Sequence, residues 1–194
     1  MENASSLCVF CGSKFGEQPA FRAAAAELGR LMAERGVGLV YGGGRIGLMG
    51  VVAEAVLAGG GQVTGIIPEF LQRLEVGNDD VQELIVTDSM HSRKRRMFER
   101  SDAFVALPGG LGTFDETIEI LTWKQLRLHD KPIVLINTEG YWDTFRQLVI
   151  QAIGNGFAHP AVSELFTIVD DPAGVFDAIA AAPEPKEETL TSHL

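Results

Sequence analysis

The sequence predicts an α/β protein whose single domain is a Rossmann-like, doubly wound and mostly parallel sheet of about seven strands. Three observations favour this fold. Short apolar runs, typical of strands buried on both faces, alternate along the chain with longer segments of helical spacing. Glycine-rich turns follow the first, second and fifth runs, and doubly wound sheets bind ligands where strands end in this way. The length of 194 residues also suits one domain with a sizeable core.

The period of the apolar residues predicts the individual elements. Apolar runs indicate strands at 7–10, 37–41, 62–66, 81–86, 103–107, 133–136 and 166–169. Helical spacing indicates helices at 19–35, 47–58, 88–100, 114–128, 142–153 and 172–182. Gly36 ends the first of these helices as a C-terminal glycine commonly does, and Asp88 or Ser89 can cap the third.

The remaining segments are predicted to lack regular structure. After Ile67-Pro68-Glu69-Phe70, we expect an irregular polar segment that extends to Asp80 and contains Glu75. The domain is predicted to span residues 1–182, because the segment 183–194, rich in Pro and Glu, is typical of a disordered tail.

Composition and charge narrow the classes of function. Apolar residues make up 46% of the chain and charged residues 22%, which is ordinary for a soluble globular protein. The net charge of −10 argues against general binding to nucleic acid or to anionic membranes. No apolar run approaches the roughly 20 residues of a membrane span, and the N-terminus lacks the pattern of a signal peptide. We therefore expect a cytoplasmic protein.

The two cysteines, Cys8 and Cys11, have the spacing of redox or metal-binding pairs but lie in an apparent strand. At this spacing their Cα atoms would be about 10 Å apart, whereas a disulfide needs less than about 7 Å. The four histidines are scattered, so the ligands of a structural zinc site are not evident. We expect both cysteines to be reduced and buried, and we expect no bound metal.

The stretch 107–116 reads as the end of a strand, a glycine turn and the start of a helix near Thr113. Glycines at 109, 110 and 112 let backbone N–H groups approach an anion, and the helix would point its positive end at that anion. A second interpretation stays open on local chemistry. Thr113 and Glu116 also have the spacing of a capping box, in which Thr113 caps the helix and Glu116 bonds back to it.

Two further glycine turns suggest a nucleotide site. In the turn after the first strand, Gly12 and Ser13 are candidate nucleotide contacts, although Ser13 could instead cap the following helix. The turn 42–50 has the bare spacing of a dinucleotide fingerprint. The acidic residue expected about 20 positions later is not evident, so the sequence favours a mononucleotide over NAD.

A basic cluster stands out against the negative charge: five cations fall between positions 93 and 100. Met90, Arg93, Lys94 and Met97 share one face of a predicted helix, which suits an apolar wall beside an anionic group. Ion pairing on the helix surface is the alternative for Lys94. We expect the side chains of Arg95, Arg96 and Arg100 only to keep the helix surface hydrated, without binding an anion.

The motif Pro108-Gly109-Gly110-x-Gly112-Thr113-x-x-Glu116 resembles the signature of the LONELY GUY (LOG) family, the cytokinin riboside 5′-monophosphate phosphoribohydrolases, often labelled "possible lysine decarboxylases". Three more stretches resemble family motifs in the same order: Cys-x-x-Cys-Gly-Ser at 8–13, the glycine turn 42–50, and Met-His-x-Arg-Lys-x-x-Met at 90–97. Together the matches cover roughly residues 6 to 170.

The resemblance implies hydrolysis of the N-glycosidic bond of AMP or N6-prenyl-AMP by a homodimer without cofactor or metal. It implies two catalytic residues, Arg93 and Glu116. Asp115 departs from family members that have two successive glutamates here. The implied substrate contacts are Gly12, Ser13, Gly43, Gly44, Met49, Glu75, Met90, Lys94, Pro108, Gly109, Gly110, Leu111, Gly112, Thr113, Asp115 and Thr122.

Three other functions agree with parts of the sequence less well. A lysine decarboxylase would require a lysine that holds pyridoxal phosphate, and no lysine here is a convincing anchor. A DNA-processing module of related fold is disfavoured by the charge. A non-catalytic nucleotide-binding or carrier module is the main alternative, because glycine turns serve binding equally well. The presence of both Arg93 and Glu116 favours catalysis.

Overall fold

The computed structural model describes residues 4–75, 77–78 and 80–183, apart from the side chains of 73–75. Its strands are β1 Ser6–Phe10, β2 Gly38–Tyr41, β3 Val63–Pro68, β4 Glu83–Thr87, β5 Ala103–Ala106, β6 Ile133–Ile136 and β7 Thr167–Val169. Its helices are α1 Pro19–Glu34, α2 Gly47–Ala58, α3 Glu69–Glu75, α4 Met90–Glu99, α5 Leu111–Gln125, α6 Asp143–Gly154 and α7 Gly174–Ala180. Short 3₁₀ turns lie at Thr138–Gly140 and Pro160–Glu164.

The strands form one parallel sheet in the order β4-β3-β2-β1-β5-β6-β7. The chain builds outward from β1 to β4 and then returns to pair β5 with the other side of β1. The point between β1 and β5 is therefore the topological switch point, where the carboxyl ends of the strands leave a crevice. This confirms the predicted doubly wound α/β fold and its seven strands.

Helices cover both faces of the sheet. Alternate residues of β1 point to opposite sides, so Leu7 and Val9 join a core beneath α1, α2 and α7. Cys8 and Phe10 join a second core that includes Met97 of α4 and Ile120 of α5. The arrangement places α4 and α5, which carry the basic cluster and the glycine motif, side by side on one face.

The structure differs from the expectation of an irregular segment between Phe70 and Asp80. Residues 69–75 form α3, and Glu75 is its last residue rather than part of an irregular loop. Glu69 in the first turn favours this helix through its dipole. A helix of seven residues depends on its surroundings for stability, which is why the local sequence does not reveal it. The adjacent strand β4 also begins at Glu83, later than expected.

Three further expectations concern the cysteines, the C-terminal tail and membrane-spanning helices. Cys8 and Cys11 are free and buried, as predicted. The predicted tail lies outside the described residues except for Pro183. Among the helices that the structure describes, none is long and apolar enough to cross a membrane.

Candidate active site

Three turns meet at the switch point. The N–H of Gly12 donates to the carbonyl of Pro108 at 3.1 Å, and the carbonyl of Gly12 accepts from the N–H of Leu48 at 3.0 Å. A Cβ on Gly12 would lie only 3.3 Å from the Cα of Gly109. Small residues therefore let the turns after β1 and β5 pack against each other and against the start of α2.

The glycine turn after β5 leaves the N-terminus of α5 open. Gly110 is the N-cap residue, and no side chain caps the helix there. Gly110 and Gly112 are exposed, and an added Cβ on either would meet no atom within 4 Å. The first N–H groups of a helix have no partner within the helix. This end of α5 can therefore accept an anion of phosphate size.

The capping-box interpretation is wrong, because α5 begins at Leu111 and Thr113 lies inside the helix. Thr113 is buried, and its carbonyl accepts a 2.7 Å hydrogen bond from the hydroxyl of Thr117. A Cβ on Gly109 would collide with the hydroxyl and the Cβ of Thr113, so no side chain fits at position 109. Thr113 thereby fixes the turn from inside the helix.

Glu116 faces Arg93 of α4. Nη1 of Arg93 lies 3.8 Å from Oε1 of Glu116, and the two residues are only 6% and 9% exposed. Removing two charged groups from water is costly, so such a pair persists only where further partners compensate. The structure thus brings together the two residues that the sequence predicts to be catalytic.

Arg93 has those partners in β3 and in the turn after β2. Its Nε donates to the carbonyl of Ile66 at 3.0 Å, and its Nη2 donates to the carbonyl of Gly42 at 3.0 Å. A Cβ on Gly42 would collide with the guanidinium of Arg93 and would lie 3.1 Å from the sulfur of Met49. Gly42 and the Ile66 carbonyl are thus site groups that sequence reasoning missed. The glycine run 42–44 was the only signal.

Lys94 bridges α4 to α5. Its Nζ lies 2.7 Å from Oδ2 of Asp115 and 3.2 Å from Oε2 of Glu119. Burial opposes the charge, but the hydrogen bonds with both carboxylates outweigh it and raise the pKa of Lys94. Because the partners lie on another helix, Lys94 is not merely paired along the surface of its own helix.

The remaining predicted contacts of the first two turns lie nearby. Gly43 has φ +76°, a conformation that favours glycine, and its carbonyl accepts from the N–H of Asn78 at 3.1 Å. Gly44 forms an isolated bridge with Gly77. Ser13 is exposed and does not cap α1, whose N-cap is Gln18.

Five other predicted contacts differ in their surroundings. Met90 is half-buried, with its sulfur 3.8 Å from Nη1 of Arg93. Leu111 is 85% exposed, whereas Pro108 is buried. Thr122 lies about 14 Å along α5 from Thr113, and its exposed hydroxyl donates to the Ile118 carbonyl at 2.8 Å. Within one chain, Thr122 therefore lies away from Arg93, Glu116 and the glycine turns. The side chain of Glu75 lies outside the described residues.

The thiols and histidines do not add a nucleophile or a metal centre to this arrangement. Burial, followed by the charge of Glu116, raises the pKa of the Cys8 and Cys11 thiols, which disfavours the reactive thiolate. Among the described residues, no three His, Cys, Asp or Glu side chains cluster in a way that could hold a metal ion.

Comparisons with known proteins agree with the sequence motifs. The model of a family described as "Possible lysine decarboxylase" matches residues 49–179. A "Probable cytokinin riboside 5'-monophosphate phosphoribohydrolase" of Oryza sativa subsp. japonica is 50% identical over 165 residues, 85% of this chain and 73% of that protein. A cytokinin riboside 5'-monophosphate phosphoribohydrolase of Arabidopsis thaliana is 44% identical over 181 residues, 93% of this chain and 79% of the relative.

The fold is also similar to that of solved structures. A molybdenum cofactor binding protein from the phototrophic bacterium Rippkaea orientalis superposes with a TM-score of 0.70. The match covers 93% of this chain and 98% of the other, at 24% identity. At this identity the likeness concerns the fold alone.

Proposed function

Because this chain belongs to the LONELY GUY (LOG) family, we propose that it is a cytokinin riboside 5′-monophosphate phosphoribohydrolase. It hydrolyses the N-glycosidic bond of AMP or of N6-substituted AMP and releases the base and ribose 5-phosphate. The observation that carries the proposal is the buried ion pair of Arg93 and Glu116, 3.8 Å apart. The pair lies on α4 and α5 of one sheet face, and α5 begins at the glycine turn.

The substrate phosphate binds at the N-terminus of α5. Backbone N–H groups there lack partners within the helix, and the helix dipole favours a dianion. Gly110 and Gly112 leave room for the phosphate because no neighbouring atom occupies the space beside them. Gly12 and Ser13 lie on the adjoining turn, and we assign them to the nucleotide as well.

Glu116 acts at the ribose carbon C1′. Cleavage of a glycosidic bond passes through an oxocarbenium-like state, and a nearby carboxylate stabilises the positive charge that develops. The same carboxylate can accept a proton from the water that attacks C1′. The electron pair of the C–N bond leaves with the base, and the water oxygen bonds to C1′ as its proton passes to Glu116. The base nitrogen takes up a proton from solvent and Glu116 returns its proton to solvent, so that water supplies OH to the ribose and, overall, H to the base. Arg93, fixed by the carbonyls of Gly42 and Ile66, orients Glu116 and the substrate.

Three of the lysines that the structure describes do not suit the Schiff base of a lysine decarboxylase. Lys94 is engaged by Asp115 and Glu119. Lys131 precedes β6, so it lies at the amino ends of the strands, opposite the glycine turns. The Nζ of Lys124 donates to the main-chain carbonyl of Lys131 at 3.0 Å. We therefore favour hydrolysis over chemistry that needs a lysine Schiff base.

The protein acts as a cytoplasmic homodimer in this proposal. Both cysteines are free, in keeping with a reducing compartment. Leu111, Ile118 and Thr122 are spaced along one exposed face of α5, which suits contact with a second subunit. Thr122 would reach substrate only across that contact. A mass measurement in solution that gave a monomer at micromolar concentration would contradict the dimer.

A turnover assay tests the proposal and separates it from a non-catalytic carrier. Purified protein should release base from AMP and N6-prenyl-AMP while leaving the unphosphorylated ribosides nearly untouched. Glu116→Ala and Arg93→Ala should each lower kcat by at least about 10²-fold and still bind AMP. Full activity in either variant would refute the assignment of the pair. Binding of AMP by the native protein without any release would favour a carrier.

A further inference from the structure

We propose that Tyr141 is a positioning residue that fixes the phosphate-binding turn; this rests on the function proposed above. Tyr141 follows the 3₁₀ turn after β6 and lies far in sequence from the glycine motif. Its hydroxyl donates a hydrogen bond to the carbonyl of Gly109. Tyr141 does not touch the phosphate in this proposal, but acts through the backbone of the turn.

The hydrogen bond determines which way the next N–H points. The peptide between Gly109 and Gly110 is trans and planar, so the Gly109 carbonyl and the Gly110 N–H point in opposite directions. Because Tyr141 holds the carbonyl, the Gly110 N–H is directed away from Tyr141. The space beside Gly110 is open, as the phosphate requires.

Two adjacent glycines make such a restraint necessary. Glycine populates backbone conformations that other residues avoid, so an unrestrained Gly109–Gly110 peptide could rotate and present its carbonyl oxygen instead. An oxygen in that place would repel a phosphate dianion. The Tyr141 hydroxyl keeps the peptide in the orientation that binds the anion.

Tyr141 itself is held firmly. Its ring stacks on Phe114 of α5 with centroids 6.2 Å apart and packs edge-on against Phe21 of α1 at 5.8 Å. The preceding turn is closed by Asn137, whose side-chain oxygen accepts from the N–H of Trp142 at 2.7 Å and whose amide donates to Asp143 at 3.1 Å. The ring packing and these hydrogen bonds therefore fix the position from which the Tyr141 hydroxyl bonds to the Gly109 carbonyl.

The test is Tyr141→Phe, which keeps the ring packing and removes only the hydroxyl. We expect the KM for AMP and the Kd for ribose 5-phosphate, measured by calorimetry, each to rise about tenfold. The kcat should stay within about twofold, as should the inhibition constant of free adenine. Thr138→Val is the matched control. Its hydroxyl is buried in the same turn without a hydrogen-bond partner among the described residues, so its removal should change none of these constants.

Two results would overturn the proposal. One is a Kd for ribose 5-phosphate in Tyr141→Phe within about twofold of the native value. The other is an equal weakening of ribose 5-phosphate and adenine, which would indicate a general structural role. If the native protein fails to hydrolyse AMP, the proposed function fails, whereas the binding of ribose 5-phosphate still decides the role of Tyr141.

Discussion

At the scale of single residues, the proposed active site depends on the position of one guanidinium. Arg93 is held by main-chain carbonyls from β3 and from the turn after β2, and it faces Glu116 across the site. Every residue type offers a main-chain carbonyl, so these two hydrogen bonds do not require particular side chains. The sequence must instead leave room for the guanidinium beside the Gly42 carbonyl. Gly42 supplies it by the absence of a side chain.

Gly42→Ala is therefore expected to lower kcat about hundredfold, the effect of a displacement of roughly 1 Å in a catalytic group. Gly42 does not have the positive φ that disfavours alanine, so the collision with Arg93 is the expected cause. Steady-state kinetics with AMP measures the change. Gly38→Ala at the start of β2, the strand that precedes Gly42, is the control, since a Cβ there would meet its nearest atom at 3.6 Å. Equal kcat values for the two variants would contradict the role of Gly42.

At the scale of elements, the contact between α1 and α2 requires a glycine. A Cβ on Gly29 would lie 2.6 Å from the carbonyl oxygen of Val52 and 2.7 Å from the Cβ of Ala55. The helices must therefore separate to accept any side chain at position 29. Since both helices pack on the same sheet face, their separation disturbs the core beneath them.

Gly29→Ala should lower the free energy of unfolding by about 1–3 kcal/mol, the usual penalty of overpacking. Gly154→Ala at the end of α6 is the matched control, because no atom lies within 4 Å of an added Cβ there. That control should be neutral or stabilising by up to about 1 kcal/mol. Urea denaturation of both variants measures the difference, and similar values for the two would argue against close packing of α1 on α2.

His129, in the segment between α5 and β6, makes the free energy of unfolding depend on pH. The N–H of Lys131 donates to Nδ1 of His129 at 3.1 Å. The proton of the neutral imidazole is therefore on Nε2, which donates to the Ile120 carbonyl at 2.9 Å. Burial lowers the pKa of His129 below its usual 6.5 by more than the Ile120 carbonyl raises it, and the charges of Lys124 and Lys131 lower it further. The folded state therefore holds His129 neutral.

The unfolded chain binds this proton more readily, so the stabilisation is complete above about pH 6.5 and is lost as the pH falls below that value. We expect the native protein to lose more free energy of unfolding than His129→Gln between about pH 7.5 and pH 5.5. Urea denaturation at both pH values provides the comparison. Parallel losses in the two proteins would show that His129 does not titrate in folding.

At the scale of the whole molecule, the sequence predicts more of the fold than of the site. The seven strands were predictable because parallel strands buried on both faces appear as separate apolar runs. The helix α3 was not, since seven residues carry too little periodicity. The Arg93–Glu116 pair was predictable from family motifs. The hydrogen bonds from Arg93 to Gly42 and Ile66, and from Tyr141 to Gly109, join distant segments and leave no local pattern.

A crystal structure of the Glu116→Gln variant with AMP bound tests the central claim most directly. The claim is that the glycine-lined start of α5 holds the phosphate while residue 116 faces the ribose. The predicted result has the phosphoryl oxygens on the N–H groups of Gly110, Gly112 and Thr113, with C1′ of the ribose beside residue 116 and Arg93. A phosphoryl group bound away from Gly112 and Thr113, or a residue 116 side chain turned away from the ribose, would contradict it.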